Sequence, residues 1–168
     1  MQELRRIAAD PVAAARSAKE RTGRPVVGSI SSWIPDELIL AAGAQPLRFP
    51  AGFAGVSGTR ARTHMQAASC FYCRDVLEAA LSGVLDVLDG IFFVQTCDTQ
   101  QNLSDILKVA VPDVPVVDMY MPVNRSSRSA RDYLVGELKA ASAALGAVTG
   151  TQTDETRLEE ALETTRVH

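Results

Sequence analysis

The chain has 168 residues, of which 46% are hydrophobic and 22% charged, and its formal net charge at pH 7 is −3. This composition fits one folded domain with a sizeable core and excludes a disordered chain or a disulfide-rich miniprotein. No apolar run approaches the roughly 20 residues that a membrane-spanning helix needs. The first residues lack the apolar stretch of a signal peptide, so we expect a cytoplasmic protein.

The acidic excess is confined to the C-terminal residues. Residues 1–149 carry 15 acidic and 15 basic side chains, whereas residues 150–168 carry five acids against two arginines. No block of basic residues is present of the kind that neutralises phosphates. Nucleic acid is therefore not expected to be the main partner.

The hydrophobic pattern predicts alternating helices and strands. The first helical stretch, broken near Pro11, ends at Gly23, and a later helix is expected to begin with Ser69 as its N-cap. Residues 50–68 are glycine-rich and are predicted to form a loop. The predicted helices cover residues 2–22, 35–42, 69–81, 99–110, 127–145 and 154–165, and the predicted strands cover residues 25–30, 46–49, 90–95 and 115–120.

This alternation predicts an α/β fold, because a strand followed by a crossover helix leads to a parallel neighbouring strand. We expect a three-layer Rossmann-like domain over residues 1–149, with a mostly parallel sheet of four to five strands. The apolar run at 90–95 is typical of a strand that is covered on both faces. Residues 150–168 are predicted to form a helical tail that leads toward a second domain outside this sequence.

Ligands of open parallel sheets bind beyond the carboxyl ends of the strands. Ser31 and Ser32 follow the first predicted strand, Cys97 follows the strand at 90–95, and Asn124 and Arg125 follow the last strand. These residues are candidates for a site at that edge. Turn serines that cap the next helix and a solvated 121–127 loop are the alternatives.

Cys70, Cys73 and Cys97 are an odd number of cysteines without a signal peptide, a pattern that does not suggest a disulfide framework. Cys70 and Cys97 both lie at the start of predicted helices, where the helix dipole favours the thiolate, the form that binds metal. Two thiolates cannot complete a zinc or iron–sulfur site, and buried core thiols are the alternative.

Core packing is the favoured role for Cys73. Cys70 and Cys73 also have Cys-x-x-Cys redox spacing, but no strand precedes them.

Several strings, in order, carry a resemblance to a known family. They are GRPVVG at 23–28, IPDELILAAGAQPLR at 34–48, Cys70, LSGVLDVLDG at 81–90, Thr96-Cys97-Asp98, and the 122–125 loop with its following helix. Over roughly residues 10–165 the chain resembles the 2-hydroxyacyl-CoA dehydratase subunits, or 2-hydroxyglutaryl-CoA dehydratase D-component family, which includes benzoyl-CoA reductase subunits.

The resemblance implies an iron–sulfur enzyme. Family members have two Rossmann-like domains with a [4Fe-4S] cluster between them, held by three cysteines, two of which look like Cys70 and Cys97. The third belongs to the second domain, which these 168 residues do not include. Cys73 does not match a family ligand, so it stays a core residue or an improvised third ligand.

The same resemblance implies the chemistry and the partners. An ATP-dependent iron–sulfur activator delivers a low-potential electron to the cluster, which passes it to an acyl-CoA thioester. The ketyl radical anion then loses a hydroxyl group, or in the benzoyl-CoA branch an aromatic ring is reduced. Ser31 and Ser32 look like hydroxyl donors of the substrate loop, Glu37 is assigned to the helix dipole, and a second dehydratase subunit is the expected oligomeric partner.

We therefore expect an N-terminal domain of a dehydratase-type subunit that is inactive on its own. One alternative is a stand-alone, non-catalytic domain that binds a partner subunit or an acyl-CoA. Another is a redox protein that uses Cys70 and Cys73 as a dithiol.

Overall fold

The computed structural model describes residues 2–50, 52 and 59–166. Its helices are α1 (Gln2–Ala9), α2 (Pro11–Thr22), α3 (Asp36–Ala41), α4 (Phe71–Leu81), α5 (Asp98–Ala110), α6 (Arg128–Thr149) and α7 (Glu155–Arg166). Its strands are β1 (Val26–Ile30), β2 (Gln45–Arg48), β3 (Gly90–Gln95) and β4 (Val116–Tyr120). A short 3₁₀ helix at Ala61–Thr63 lies within the predicted 50–68 loop, of which residues 51 and 53–58 are outside the described residues.

The four strands form one parallel sheet in the order β2-β1-β3-β4. Helices cover both faces: α2, α4 and α5 pack on one face, and α3, α6 and α7 pack on the other. The predicted three-layer Rossmann-like α/β class is confirmed.

The core is split by the sheet into two apolar layers. Along β3, Phe93 packs in the layer beneath α4 and α5, while Phe92 packs in the layer beneath α3 and α6. Successive side chains of a strand point to opposite faces, so the continuous apolar run of β3 supplies both layers. Both phenylalanine side chains are fully buried.

The prediction that Ser69 caps α4 is wrong. Cys70 occupies the N-cap position and makes no side-chain capping hydrogen bond. The Ser69 N–H instead donates to the Gln66 carbonyl (3.0 Å), because residues 66–69 form a turn of their own. The helix α4 therefore begins at Phe71, one residue later than a Ser69 N-cap would place it.

The C-terminal helix α7 packs on the domain. Ala161 is buried, Leu158 packs against the apolar layer beneath α3, and the Thr165 hydroxyl donates to the Glu37 carboxylate (2.9 Å). Glu37, in the first turn of α3, therefore has a partner besides the helix dipole. That residues 150–168 lead toward a second domain stays a prediction.

None of the helices in the described part of the chain is long and apolar enough to cross a membrane.

Two glycines of α6 differ in their surroundings and give a matched test of packing. A Cβ at Gly146 would lie 3.0 Å from the Thr151 carbonyl oxygen, whereas a Cβ at Gly136 would meet nothing within 4 Å. We expect Gly136→Ala to raise the free energy of unfolding by up to about 1 kcal/mol through helix propensity. We expect Gly146→Ala to lower it by about 1 kcal/mol, because a backbone carbonyl does not yield easily.

Urea denaturation of both variants would measure these two effects. Equal stabilisation by the two substitutions would contradict the close approach of the 149–154 connection to α6.

Candidate functional site

The strand order creates a crevice at the carboxyl edge of the sheet. From β1 the chain leads into α3 on one face, and from β3 it leads into α5 on the opposite face. The two connections diverge, so an opening forms between the ends of β1 and β3, where ligands of such sheets bind. A cleft of about 340 Å³ lies there. It is lined by Ser29, Ser31, Ser32, Arg48, Phe49, Tyr72 and Gln100.

The loop after β1 carries unusual backbone geometry. Ser31 has a φ of +137°, a conformation that residues other than glycine rarely adopt. Such strained residues persist only where their surroundings hold them, and they are frequent at functional sites. Ser31 and Ser32 both line the cleft, and the Ser31 hydroxyl accepts a hydrogen bond from the Trp33 N–H (3.2 Å).

Arg48, at the end of β2, holds this loop in place. Its Nε donates to the Asp36 carboxylate (2.8 Å), and its two terminal nitrogens donate to the carbonyls of Ser31 (3.3 Å) and Ile34 (2.9 Å). Asp36 also accepts a hydrogen bond from the buried Ser29 hydroxyl (3.3 Å). These contacts bridge β2, α3 and the loop at residues 31–35, here called the serine loop. They therefore fix one wall of the cleft.

The two cysteines singled out from the sequence occupy equivalent positions. Cys70 is the N-cap of α4 and Cys97 is the N-cap of α5, and both are exposed free thiols without a side-chain capping hydrogen bond. The helices that follow them pack against each other on one face of the sheet. Tyr72 and Gln100, in the first turns of these helices, line the cleft, two residues after Cys70 and three residues after Cys97.

Cys73 lies inside the core, as the packing interpretation predicts, with 1% of its surface exposed. Burial raises the pKa of its thiol to about 12, and the neighbouring Cys70 and Cys97, together with a hydrogen bond to Cys70, act in the same direction. The three thiols therefore share one neighbourhood. A buried thiol that keeps its proton is a poor metal ligand, because the thiolate is the ligating form.

The exposed thiols fit part of the donor set of an iron–sulfur cluster. Cysteine thiolates are the usual ligands of such clusters. Within residues 2–50, 52 and 59–166, no three His, Cys, Asp or Glu side chains are grouped so as to hold a metal ion. The described residues thus offer Cys70 and Cys97 as two donors of a set that needs completion from elsewhere.

Sequence reasoning named two of the seven lining residues, Ser31 and Ser32, and missed the other five, namely Ser29, Arg48, Phe49, Tyr72 and Gln100. For three of them the sequence held a signal that could have indicated the site. Arg48 ends a strand, Tyr72 lies two residues after Cys70 and Gln100 lies three residues after Cys97. Burial, then the nearby Cys73, raises the pKa of Tyr72 to about 12, and the Arg48 charge only partly opposes this.

The loop after β4 is joined to the serine loop by a cation–π contact. The Arg125 guanidinium lies 4.9 Å from the centre of the exposed Trp33 ring. Asn124 accepts hydrogen bonds from the N–H and hydroxyl of Ser126. Both candidate residues of this loop thus have contacts that organise the edge of the sheet.

A Rossmann-like domain with a cleft at the divergence of β1 and β3, and exposed thiols at the N-caps of α4 and α5, has the architecture in which ligands bind at this edge. A model of the protein family described as 2-hydroxyglutaryl-CoA dehydratase, D-component, matches residues 31–167. The chain belongs to this family, as its sequence motifs predict.

Curated relatives agree with this assignment. The chain is 31% identical to the beta subunit of lactoyl-CoA dehydratase from Anaerotignum propionicum, over 96% of this chain and 42% of the relative. It is 29% identical to the beta subunit of (R)-phenyllactyl-CoA dehydratase from Clostridium sporogenes, over 86% of this chain and 38% of the relative. It is 30% identical to the beta subunit of (R)-2-hydroxyglutaryl-CoA dehydratase from Acidaminococcus fermentans, over 79% and 35% respectively. The chain thus spans about two fifths of the relatives that it matches most fully.

The thiols should differ in reactivity. In the folded protein at pH 8, we expect iodoacetamide to modify Cys70 and Cys97 while Cys73 stays unmodified, because a pKa of about 12 leaves only about one Cys73 thiol in ten thousand ionised. Mass spectrometry of tryptic peptides would measure this, with urea-unfolded protein as the control in which all three react. Rapid modification of Cys73 in the folded chain would contradict its burial.

Removing the Arg48 bridge should loosen the serine loop. We expect Arg48→Met to accelerate amide hydrogen exchange at residues 31–34 and to lower the free energy of unfolding by about 1 kcal/mol, since Asp36 loses its partner. The matched control is Arg166→Met, which breaks an exposed pair with Glu163 on α7 and should change stability by less than about 0.5 kcal/mol. Unchanged exchange at 31–34 would show that Arg48 does not hold the loop.

Proposed function

We propose that this chain is the cluster-binding domain of a 2-hydroxyacyl-CoA dehydratase-type enzyme. In this proposal Cys70 and Cys97 supply two ligands to a [4Fe-4S] cluster, and the cleft beside them receives the thioester end of an acyl-CoA. The observation that carries the proposal is the placement of two exposed thiols at the N-caps of adjacent helices whose first turns line the cleft.

The cluster, when bound, supplies one-electron transfer at low potential, which serves dehydration of a 2-hydroxyacyl-CoA or reduction of an aromatic acyl-CoA. The chain's own residues bind and orient the substrate. Ser31 and Ser32, on the loop held by Arg48, are the proposed hydroxyl donors to the thioester oxygen. A preorganised donor avoids reorganisation when negative charge develops on that oxygen.

The site needs partners. Cys70 and Cys97 are an incomplete ligand set, and the chain spans about two fifths of the beta subunits that it resembles. The missing ligand and the second wall of the site are assigned to the remaining part of such a subunit or to a second dehydratase subunit. Electrons are assigned to an ATP-dependent iron–sulfur activator. These 168 residues alone are therefore expected to be inactive.

Anaerobic reconstitution with ferrous iron, sulfide and a small thiol that completes the coordination would test the cysteine assignment. We expect the purified chain to develop the visible absorption of an iron–sulfur cluster and an EPR signal on reduction. Cys70→Ser and Cys97→Ser should each abolish both signals. Cys73→Ala is the matched control and should retain them, because Cys73 is a core residue.

Each other outcome favours a different function. A correctly folded chain that forms no cluster under any condition would support a non-catalytic domain that binds a partner subunit or an acyl-CoA. A reversible Cys70–Cys73 disulfide with a measurable potential would support a dithiol redox protein, for which the hydrogen bond between these two thiols is the favourable observation. A cluster that survives both serine substitutions would overturn the ligand assignment.

A further inference from the structure

The first turn of α4 brings a tyrosine into the cleft. Tyr72 lies two residues after Cys70, and its half-buried side chain lines the same cleft as Ser31 and Ser32. No hydrogen bond joins its hydroxyl to another side chain of the described residues. The ring itself packs against the apolar layer beneath α4. The ring is therefore anchored while the hydroxyl keeps its donor capacity.

A tyrosine hydroxyl carries one O–H donor, so the Tyr72 phenol can donate to an acceptor placed in the cleft. The guanidinium of Arg48, which lines the same cleft, is engaged with Asp36 and two backbone carbonyls.

Donors reach the cleft from three different elements. The serines come from the loop after β1, Tyr72 from α4 and Gln100 from α5. Tyrosine has few rotatable bonds, so a donor on an anchored ring loses little conformational entropy on binding. An acceptor oxygen placed among such donors is bound by a preorganised group of dipoles.

We propose that the Tyr72 hydroxyl donates a hydrogen bond to the carbonyl oxygen of the acyl thioester, opposite the serine loop. This assignment rests on the proposed function, since it assumes that the cleft receives an acyl-CoA. It adds a phenol donor from α4, beside the Cys70 ligand position, to the hydroxyl donors of the β1 loop.

Binding to the full 168-residue chain tests this without need for the cluster or for turnover. Isothermal titration calorimetry would compare butyryl-CoA with S-butyl-CoA, a thioether that lacks the carbonyl oxygen. We expect the wild type to bind the thioester more tightly. Tyr72→Phe keeps the ring and should weaken butyryl-CoA binding about three- to tenfold, as loss of one hydrogen bond does, while leaving S-butyl-CoA binding unchanged. Tyr133→Phe, on exposed α6, is the matched control and should change neither.

A second measurement uses the wild type alone, so it does not depend on the folding of a variant. The tyrosine Raman doublet, which reports hydrogen bonding of the phenol, should change when butyryl-CoA binds and not when S-butyl-CoA binds.

The outcomes separate this assignment from the proposed function. If the wild type binds neither compound, acyl-CoA recognition by this cleft and the Tyr72 assignment are both overturned. If the wild type prefers the thioester and Tyr72→Phe shows the same preference, only the Tyr72 assignment is overturned. An equal loss of affinity for both compounds in Tyr72→Phe would show that Tyr72 acts through packing, and this too would overturn it.

Discussion

The pairing of β1 with β3, buried between two apolar layers, is the constraint on which the rest of the structure depends. Both strands are covered on both faces, so each must lead into a helix that packs on one layer or the other. The chain uses opposite layers for these two connections, with α3 on one and α5 on the other. The divergence opens the carboxyl edge between the strands. The cleft is therefore a consequence of how the core is divided.

Polar groups around this opening are held by hydrogen bonds, an ion pair and a cation–π contact. The Arg48–Asp36 pair fixes the strained serine loop, and the contact of Arg125 with Trp33 joins that loop to the one after β4. The position of each thiol on its helix decides how exposed it is. Cys70 and Cys97 stay exposed at N-caps, whereas Cys73, one turn into α4, enters the core and keeps its proton. Three residues along α4 thus separate the exposed thiol of Cys70 from the buried thiol of Cys73.

Much of the fold could be predicted because the apolar pattern reports burial directly. The run of β3 and the alternation of helices and strands indicated the correct class, and strong breakers such as Gly23 marked a helix end that the structure shows. The N-cap of α4 was missed by one residue, because Ser69 belongs to the local turn at residues 66–69. Single-residue capping choices of this kind differ by little free energy, so neighbouring contacts decide them.

The sequence by itself determined the α/β class, the two cysteines at helix starts and the family to which the chain belongs, because periodicity and ordered motifs are local properties. Only the tertiary structure decided which polar residues share the cleft. Arg48, Tyr72 and Gln100 come from three elements that are distant along the chain, and no local pattern records that they converge. Their convergence follows from the strand order and from the layer that each helix covers, which are set by the packing of the whole core.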